Sequence, residues 1–308
     1  MSRLGEALTN YLTIRRALGY KLVRAGKLLA QFVTYLEGIG AKTITTEHAI
    51  AWARLPAGGD VNWWARRLSV VRCFATYLHT LDPSAEVPAR DLLPVRPQRA
   101  TPYLYSDEEI RSLIEACRGL RSPLRVATYR TLIGLLAVTG MRVGEAIRLD
   151  REDIDFSQGV LLVREGKFGK SRELPLHPTT LQALRSYFRE RDRWHPSPST
   201  PPLFISPAGT RLLYCNVSWT FLKLVRFVGL KPRSAACRPR LHDLRHAFAV
   251  RTVLDAYRNG CDVQARLPLL STYLGHVNPA STYWYLSAAP ELLAMASGRL
   301  ESHLGGRS

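Results

Sequence analysis

Several short segments of the chain carry cationic, imidazole and phenol side chains that together could act on a phosphate ester. In chain order these residues are Arg142, Lys167, His242, Arg245, His276 and Tyr285. A guanidinium holds two phosphate oxygens with a planar fork, a lysine can also release a proton, and a phenol can act as a nucleophile. Each residue alone is more simply explained as a surface or packing residue, so the prediction of phosphoryl-transfer chemistry depends on the whole set.

Arg142 is predicted to lie at the turn between two helices. Gly140 would end the first helix, and residues 143–146 would begin the second. An arginine beside a helix N-terminus adds its fork to free backbone N–H groups, and this arrangement suits a phosphate.

A second cation, Lys167, lies in a segment that is predicted to be the loop of a β-hairpin. Residues 159–164 and 171–176 are short β runs, and residues 165–170 join them. The tip of a hairpin can carry one side chain into a site that other elements build. Lys170 lies in the same loop and is the alternative to Lys167.

His242 and Arg245 are three residues apart at the start of a predicted helix, so they share one face and could contact the same phosphate. His242 and His246 also have the four-residue spacing of a zinc-binding helix. The glutamate of the H-E-x-x-H motif is missing, however, and Arg245 would repel a metal ion. The segment therefore favours a phosphate site over a metal site.

His276 is predicted to lie in a turn, because Gly275 would end one helix and Pro279 is suited to begin the next. Tyr283 and Tyr285 fall on that next helix. Two residues apart on a helix point in directions about 200° apart, so only one of the two phenols can enter a given site.

The composition of the chain predicts a folded protein that binds a polyanion. Its 308 residues suggest about two domains, and 46% of them are hydrophobic. Forty-three basic residues against 25 acidic ones give a net charge of +18. This excess excludes an ordinary neutral metabolic enzyme and points first to nucleic acid, second to an anionic membrane surface.

Cysteine usage and the apolar segments predict a soluble protein of the cytoplasm. The five cysteines are scattered and form no C-x-x-C pair, so we expect neither a disulfide framework nor a zinc site. Charged residues interrupt the N-terminus, so it contains no apolar signal core. The apolar run 131–138 is too short to span a bilayer. No membrane association is expected.

The first 95 residues are predicted to form a small helical domain with basic faces. Helices are expected near 8–18 and over 22–36, 47–54 and 61–81, with Thr45 or Thr46 as the cap of the third. The arginines near their apolar stripes are Arg54, Arg66, Arg67 and Arg72, each of which alone is best explained by a solvated helix face. Residues 96–104 are proline-rich and are predicted to be an extended linker.

Residues 105–308 are predicted to form a second domain that is mainly α with a small antiparallel β-sheet. Ser106 and Glu109 have the spacing of a capping box at its first helix. Helices are expected at 107–118, 124–138, 143–149, 178–193, 215–228, 241–258, 263–274, 279–287 and 290–303. Besides the hairpin, residues 203–206 are a candidate third strand.

Taken in order, these segments resemble the motifs of the tyrosine recombinases, the phage integrase family. Residues 139–145, TGMRVGE, look like the first arginine box of that family, and Lys167 falls at its hairpin lysine. Residues 241–246, LHDLRH, look like the second box, and residues 274–285 look like the third. The helical N-terminal domain is similar to the family's core-binding domain, and the rest to its catalytic domain.

The resemblance implies how the cations and the phenol would share the reaction. Tyr285 would attack a DNA phosphodiester and become a 3′-phosphotyrosine, while Arg142 and Arg245 would hold the non-bridging oxygens in place of metal ions. Lys167, the first lysine of its loop, would donate a proton to the leaving 5′ oxygen in preference to Lys170. No cofactor is expected.

The same resemblance implies supporting roles for three further residues. His242 would assist proton transfer at the tyrosine, and His276 would hydrogen-bond the phosphate. Glu145 would be an accessory residue, although an exposed helix glutamate is equally compatible with the sequence. The spacing from His276 favours Tyr285 over Tyr283 as the nucleophile.

The resemblance also implies the partners and the assembly. Two domains would clamp double-stranded DNA, with contacts from their basic faces and from the linker residues Arg96 and Arg99. The protein would bind a recombination site as a dimer and form a tetramer in the synapse, with accessory or partner recombinases possible. The predicted function is a site-specific recombinase or integrase of a mobile element or replicon. A type IB topoisomerase-like enzyme and a non-catalytic DNA-binding regulator stay open as alternatives.

Overall fold

Two units, Met1–Gln98 and Arg99–Ser308, make up this computed structural model. The residues it describes are 2–55, 58–95, 100–164, 171–196, 201–276, 278 and 282–283. The linker arginines Arg96 and Arg99 lie outside them. The division lies close to the predicted linker, and the DNA-binding and catalytic roles of the two units remain predictions.

In the described part of the N-terminal unit there are four helices, as the sequence predicts: α1 (Arg3–Ala17), α2 (Val23–Gly38), α3 (Thr46–Arg54) and α4 (Val61–Leu81). Thr45 caps α3, because its hydroxyl accepts a hydrogen bond from the His48 N–H at 3.2 Å. The apolar stripes meet in one core that includes Phe32, Trp52 and Phe74.

Two arginines of α4 have structural contacts that their sequence positions do not reveal. The expected solvated face is wrong for Arg67, which is buried. Its guanidinium lies 3.7 Å above the ring of Trp52 and donates to the Trp52 carbonyl at 2.8 Å. Arg72 donates to the carbonyls of Pro88 and Ala89, both at 2.7 Å, and so fixes the chain that follows α4. Both guanidinium groups therefore bind other parts of the protein, whereas the sequence alone would assign them to the solvated surface.

The second unit begins with α5 (Asp107–Ala116), where both hydrogen bonds of the predicted capping box between Ser106 and Glu109 are present. The helices that follow are α6 (Pro123–Thr139), α7 (Val143–Arg148), α8 (Pro178–Trp194), α9 (Tyr214–Val228), α10 (Asp243–Arg258) and α11 (Val263–Leu274). Short 3₁₀ turns lie at Cys117–Gly119 and Arg151–Asp153. Helix α6 is apolar on most sides because it packs against α5, α8 and α10.

The sheet is small and antiparallel, in the order β1 (Ile154–Asp155), β2 (Val160–Val163), β3 (Arg172–Pro175). Its hairpin strands β2 and β3 are those that the sequence predicts, whereas β1 was not predicted. The candidate strand at 203–206 is wrong. Leu203 and Phe204 are buried in the core, and the backbone of Ile205 forms an isolated bridge with Arg211 rather than a ladder. Leu203 donates to the Leu149 carbonyl at 2.8 Å.

The predicted class, mainly α with a small antiparallel sheet, is confirmed by this arrangement. In the described residues, no helix is both long and apolar enough to cross a membrane. The predicted helices at 279–287 and 290–303 lie outside the described residues, apart from Thr282 and Tyr283.

Candidate active site

Three arginines from separate elements converge on the C-terminal end of α11. The carbonyls of its last turn accept hydrogen bonds in succession: Tyr273 from Arg172 at 2.8 Å, Leu274 from Arg245 at 2.7 Å and Gly275 from Arg142 at 3.1 Å. The last carbonyls of a helix have no partner within the helix and carry the negative end of its dipole, so cations are favourable there. The end of α11 therefore anchors three guanidinium groups at adjacent positions.

Two glycines allow these elements to approach so closely. Gly140, which ends α6 with a φ of 58°, offers its carbonyl to Arg245 at 2.9 Å. A Cβ atom on Gly140 would lie 2.4 Å from the ring of Phe248, so a side chain does not fit. Gly275, with a φ of 67°, ends α11 and turns the chain toward His276.

Glu145 joins two of the arginines. Its carboxylate accepts from the Arg142 side chain at 2.8 Å and from the Arg142 backbone N–H at 3.0 Å. Arg172 donates to both carboxylate oxygens, at 2.8 and 3.3 Å. Burial alone would raise the pKa of Glu145, but the hydrogen bonds from Arg172 and Arg142 outweigh it and lower the pKa to about 2. Glu145 is thus a buried anion between two guanidinium groups, and not a surface glutamate.

The pKa values of His242 and His276 show that both imidazoles lie close to Arg245 and Arg142. Desolvation by the surrounding protein, followed by the charges of Arg245 and Arg142, lowers the pKa of His242 to about 4. The same causes in the same order, with Arg172 next, lower the pKa of His276 to about 4. Both imidazoles are therefore neutral at pH 7, within the field of the same arginines.

His276 is oriented by a residue that the sequence did not indicate. Its Nδ1 lies 2.7 Å from the hydroxyl oxygen of Thr282, which is buried. Where the Thr282 hydroxyl donates this bond, Nε2 carries the ring proton and can donate to an anion.

The structure brings together Arg142, Glu145, His242, Arg245 and His276, with Arg172 and Thr282 beside them, and the part that each would play in a reaction remains a prediction. Lys167, Lys170 and Tyr285 lie outside the described residues, so their places in this site remain predictions. Tyr283 is described and exposed. Within the described residues, no cluster of three histidine, cysteine or acidic side chains could hold a metal ion.

His246 makes a pH-dependent contribution to stability that can be predicted in sign. Its ring packs edge-on against His242 with centroids 4.8 Å apart, and its Nε2 lies 3.9 Å from Asp243. Burial, followed by the charges of His242, Arg240, Arg245 and His276, lowers the pKa of His246 to about 3. Between the ordinary histidine pKa of 6.5 and the folded-state pKa of about 3, His246 is protonated in the unfolded chain but not in the folded chain. The free energy of unfolding therefore falls as the pH falls through this range. At pH 5 the loss is about 2 kcal/mol.

Unfolding of the wild type and of His246→Gln, followed by calorimetry between pH 7.5 and pH 5, measures this contribution. Burial raises the pKa of Asp243, which therefore titrates in the opposite sense, so the wild-type curve alone is not sufficient. We expect the variant to lose stability less steeply than the wild type and the control His195→Gln to follow the wild type. Parallel curves for wild type and His246→Gln would contradict the assignment.

Comparison with known proteins gives matches across almost the entire chain. Residues 104–291 match the model of the phage integrase family. The Sinorhizobium fredii protein named "Putative integrase/recombinase y4rB" is 44% identical over 307 residues, covering 98% of each chain. The tyrosine recombinase XerA of Pyrococcus furiosus is 30% identical over 213 residues, covering 68% of this chain and 66% of its own. The Tn1549 transposon integrase in complex with a circular intermediate DNA has a TM-score of 0.64, with 17% identity and coverage of 96% and 99%.

Proposed function

Because the chain belongs to the phage integrase family, we propose that it is a site-specific tyrosine recombinase. It cleaves and rejoins duplex DNA through a 3′-phosphotyrosine, without a metal ion. The observation that carries this proposal is the anchoring of Arg142 and Arg245 to the adjacent carbonyls of Gly275 and Leu274. Two guanidinium groups held this way can grip the two non-bridging oxygens of one phosphodiester.

The charge at the end of α11 supports an anionic substrate. Glu145 balances one of the three guanidinium charges gathered there. A guanidinium has five N–H donors, so one group can bind an anion as well as protein oxygens. During attack on a phosphodiester, negative charge builds on the non-bridging oxygens, and fixed donors stabilise it without reorganising. The arginines thereby take the role that metal ions play in many other phosphoryl-transfer enzymes.

The neutral imidazoles suit the proton transfers of this reaction. A neutral His242 can accept a proton or a hydrogen bond from the attacking phenol of Tyr285, whereas an imidazolium could not. His276, oriented by Thr282, can donate a hydrogen bond to a phosphate oxygen. Lys167 would protonate the leaving 5′ oxygen, because a lysine gives up a proton more readily than an arginine.

The proposal extends to the partners. The substrate is double-stranded DNA, held by the basic N-terminal unit and by the catalytic unit, with phosphate contacts that weaken steeply with salt. Two protomers occupy one recombination site, two such dimers form the synaptic tetramer, and partner recombinases can substitute for one of the copies. The full-length similarity to an integrase/recombinase supports a role in moving or resolving a DNA element. The protein then acts in the cytoplasm, where the DNA lies.

Covalent capture tests the proposal. The purified protein is incubated with fragmented genomic DNA in the presence of EDTA, and adducts that resist denaturation are isolated. Sequencing of the captured ends defines a cleavage position, and a duplex with a nick beside that position then accumulates the adduct, because the short cleaved fragment diffuses away. Mass spectrometry of the tryptic peptide should place a 3′-phosphate on Tyr285. The absence of any adduct, or attachment through a 5′-phosphate, would count against the proposal.

The role of Lys167 can be tested by changing the leaving group. Lys167→Met should slow adduct formation on the nicked duplex by roughly 10²-fold or more, the usual effect of losing a general acid. On a duplex whose scissile 5′ oxygen is replaced by sulfur, the variant should react almost as fast as the wild type, because a thiolate leaves without a proton.

Lys170→Met is the matched control for this experiment, since the sequence predicts both lysines in the same hairpin loop. It should react at the wild-type rate on both duplexes. If Lys170→Met is the slow variant and sulfur restores its rate, Lys170 is the acid. If sulfur restores neither variant, the leaving oxygen is protonated by another group.

A further inference from the structure

Arg172 is a partly buried arginine beside the site, and the sequence motifs described above do not include it. It is the first residue of β3, five positions after Lys167, and pairs in register with Val163 of β2. Its side chain is only 12% exposed. The guanidinium makes three hydrogen bonds to the protein: one to the Tyr273 carbonyl and two to Glu145.

The guanidinium of Arg172 also lies against Gly275, the residue that turns the chain toward His276. A Cβ atom placed on Gly275 would lie 2.9 Å from the nearest nitrogen of Arg172 and 3.1 Å from its guanidinium carbon. The carbonyl of this same glycine accepts from Arg142 at 3.1 Å. Arg172 therefore supports the turn from which Arg142 is held.

Glu145 needs Arg172 in order to hold Arg142 in a useful position. The side chain of Glu145 is 1% exposed, so its charge must be balanced by protein groups. Each carboxylate oxygen of Glu145 accepts one hydrogen bond from Arg172. Arg142 donates to the same two oxygens, through one side-chain nitrogen and through its backbone N–H. Without Arg172, Arg142 would be the main counter-charge of a buried carboxylate, which would compete with the phosphate for the same guanidinium.

We propose that Arg172 is a positioning residue for the recombination reaction, acting through Glu145 and the end of α11 to hold Arg142 toward the scissile phosphate. This inference rests on the proposed function. It assigns Arg172 no contact with DNA. Through these contacts Arg172 connects β3 to Glu145 of α7 and to the turn at Gly275 that leads to His276. The three segments are thereby held in fixed positions relative to one another.

Single-turnover kinetics on the nicked duplex test the inference. Arg172→Lys keeps the charge but loses the fork that bridges Tyr273 and Glu145, and Arg172→Ala loses both. We expect each to slow adduct formation at saturating protein by about tenfold or more, because small misplacements of a positioned group have large effects on rate. The dissociation constant for the same duplex should change by less than about threefold, since we expect Arg172 to hold protein groups and not the phosphate.

Arg211→Ala is the matched control for lost stability. Arg211 also donates to two backbone carbonyls, those of Ile147 and Leu149, and to one carboxylate, that of Asp150. It should lower the unfolding temperature of the unit and leave the rate of the folded fraction unchanged. An equal effect of both substitutions on the rate would overturn the positioning role.

A methylphosphonate at the scissile position provides the readout that a purely structural residue would not change. This group replaces one charged non-bridging oxygen with a methyl group, so the reaction depends less on Arg142. The rate deficit of Arg172→Lys and of Arg142→Lys should shrink together on this duplex. An Arg172→Lys deficit that stays the same on both duplexes overturns the inference while the proposed function stands. A wild-type protein that forms no adduct on either duplex overturns both.

Discussion

Tyr285→Phe is expected to abolish the covalent adduct and to leave DNA binding unchanged. Phenylalanine keeps the aromatic ring but lacks the oxygen that would attack phosphorus. Loss of a nucleophile costs roughly 10³-fold or more in rate, so no adduct should accumulate on the nicked duplex. The binding isotherm should overlay that of the wild type at the same salt concentration, because the phosphate contacts belong to other residues.

Tyr283→Phe is the matched control, because Tyr283 lies two residues away and is exposed. It should form adduct at the wild-type rate. The opposite pattern, with only Tyr283→Phe inactive, would move the nucleophile to Tyr283. If both variants behave as the wild type and no adduct forms with any of them, a DNA-binding regulator replaces the recombinase.

The same pair of variants separates the recombinase from a topoisomerase-like enzyme. An enzyme of the second kind would relax supercoiled plasmids that carry no captured site, and Tyr285→Phe would abolish that relaxation. A recombinase confined to its site would leave such plasmids supercoiled. The readout is the topoisomer distribution, measured with wild type and both variants on plasmids with and without the captured sequence.

The sequence could identify Arg142 and Arg245 because each lies within a few residues of a recognisable helix end. Arg142 follows a glycine at the end of a predicted helix, and Arg245 follows His242 by three residues at the start of another. Turn chemistry and helical spacing both act over a few residues, so the sequence encodes them directly. The structure then gathers these segments at the end of α11, which no local pattern specifies.

Arg172 and Thr282 could not be identified in the same way. The contacts of Arg172 reach 27 residues back to Glu145 and 101 residues forward to Tyr273, so its role exists only in the folded chain. The burial of Glu145 depends on the same contacts. For this reason the sequence could not decide whether Glu145 is an accessory residue of the site or an exposed helix glutamate. Similarly, residues 203–206 have the composition of a strand but pair with none of the described strands. The backbone N–H of Ile205 donates to the Tyr187 hydroxyl, and Ile205 forms an isolated bridge with Arg211.

Arg67 shows the same limit in the N-terminal unit. An arginine in a basic chain is most simply assigned to a solvated face, yet this one stacks on Trp52 within the core. Its burial depends on the approach of α3 to α4, which is a tertiary contact. The net charge of the chain therefore overstates the positive charge at its surface, and the surface charge must be counted from the contacts of each residue.

Arg245→Lys is the second substitution with a large expected effect. Arg245 is 2% exposed and joins two helix ends, because it donates to the Gly140 carbonyl of α6 and to the Leu274 carbonyl of α11. A lysine has one nitrogen at the end of a flexible stem and cannot bridge both carbonyls while it also forks onto a phosphate. Loss of a fixed donor of this kind lowers the rate of the chemical step by roughly 10²- to 10³-fold.

Burial of Arg245 means that its replacement also affects folding, and the two effects must be separated. A buried carbonyl left without a donor costs about 1–3 kcal/mol, so Arg245→Lys should unfold at a lower temperature than the wild type. Single-turnover experiments resolve the two contributions, because unfolded protein reduces the amplitude of adduct formation, whereas a misplaced guanidinium reduces its rate constant. We expect both quantities to fall for this variant.

Arg191→Lys supplies the matched control for burial. Arg191 is 1% exposed and donates to the Pro202 carbonyl and to Asp192, contacts that do not include the end of α11. It should lose stability and amplitude but keep the rate constant of the wild type. If Arg245→Lys likewise keeps its rate constant, the guanidinium at the end of α11 serves the fold alone. The phosphate would then have to be held by Arg142 together with groups outside this cluster.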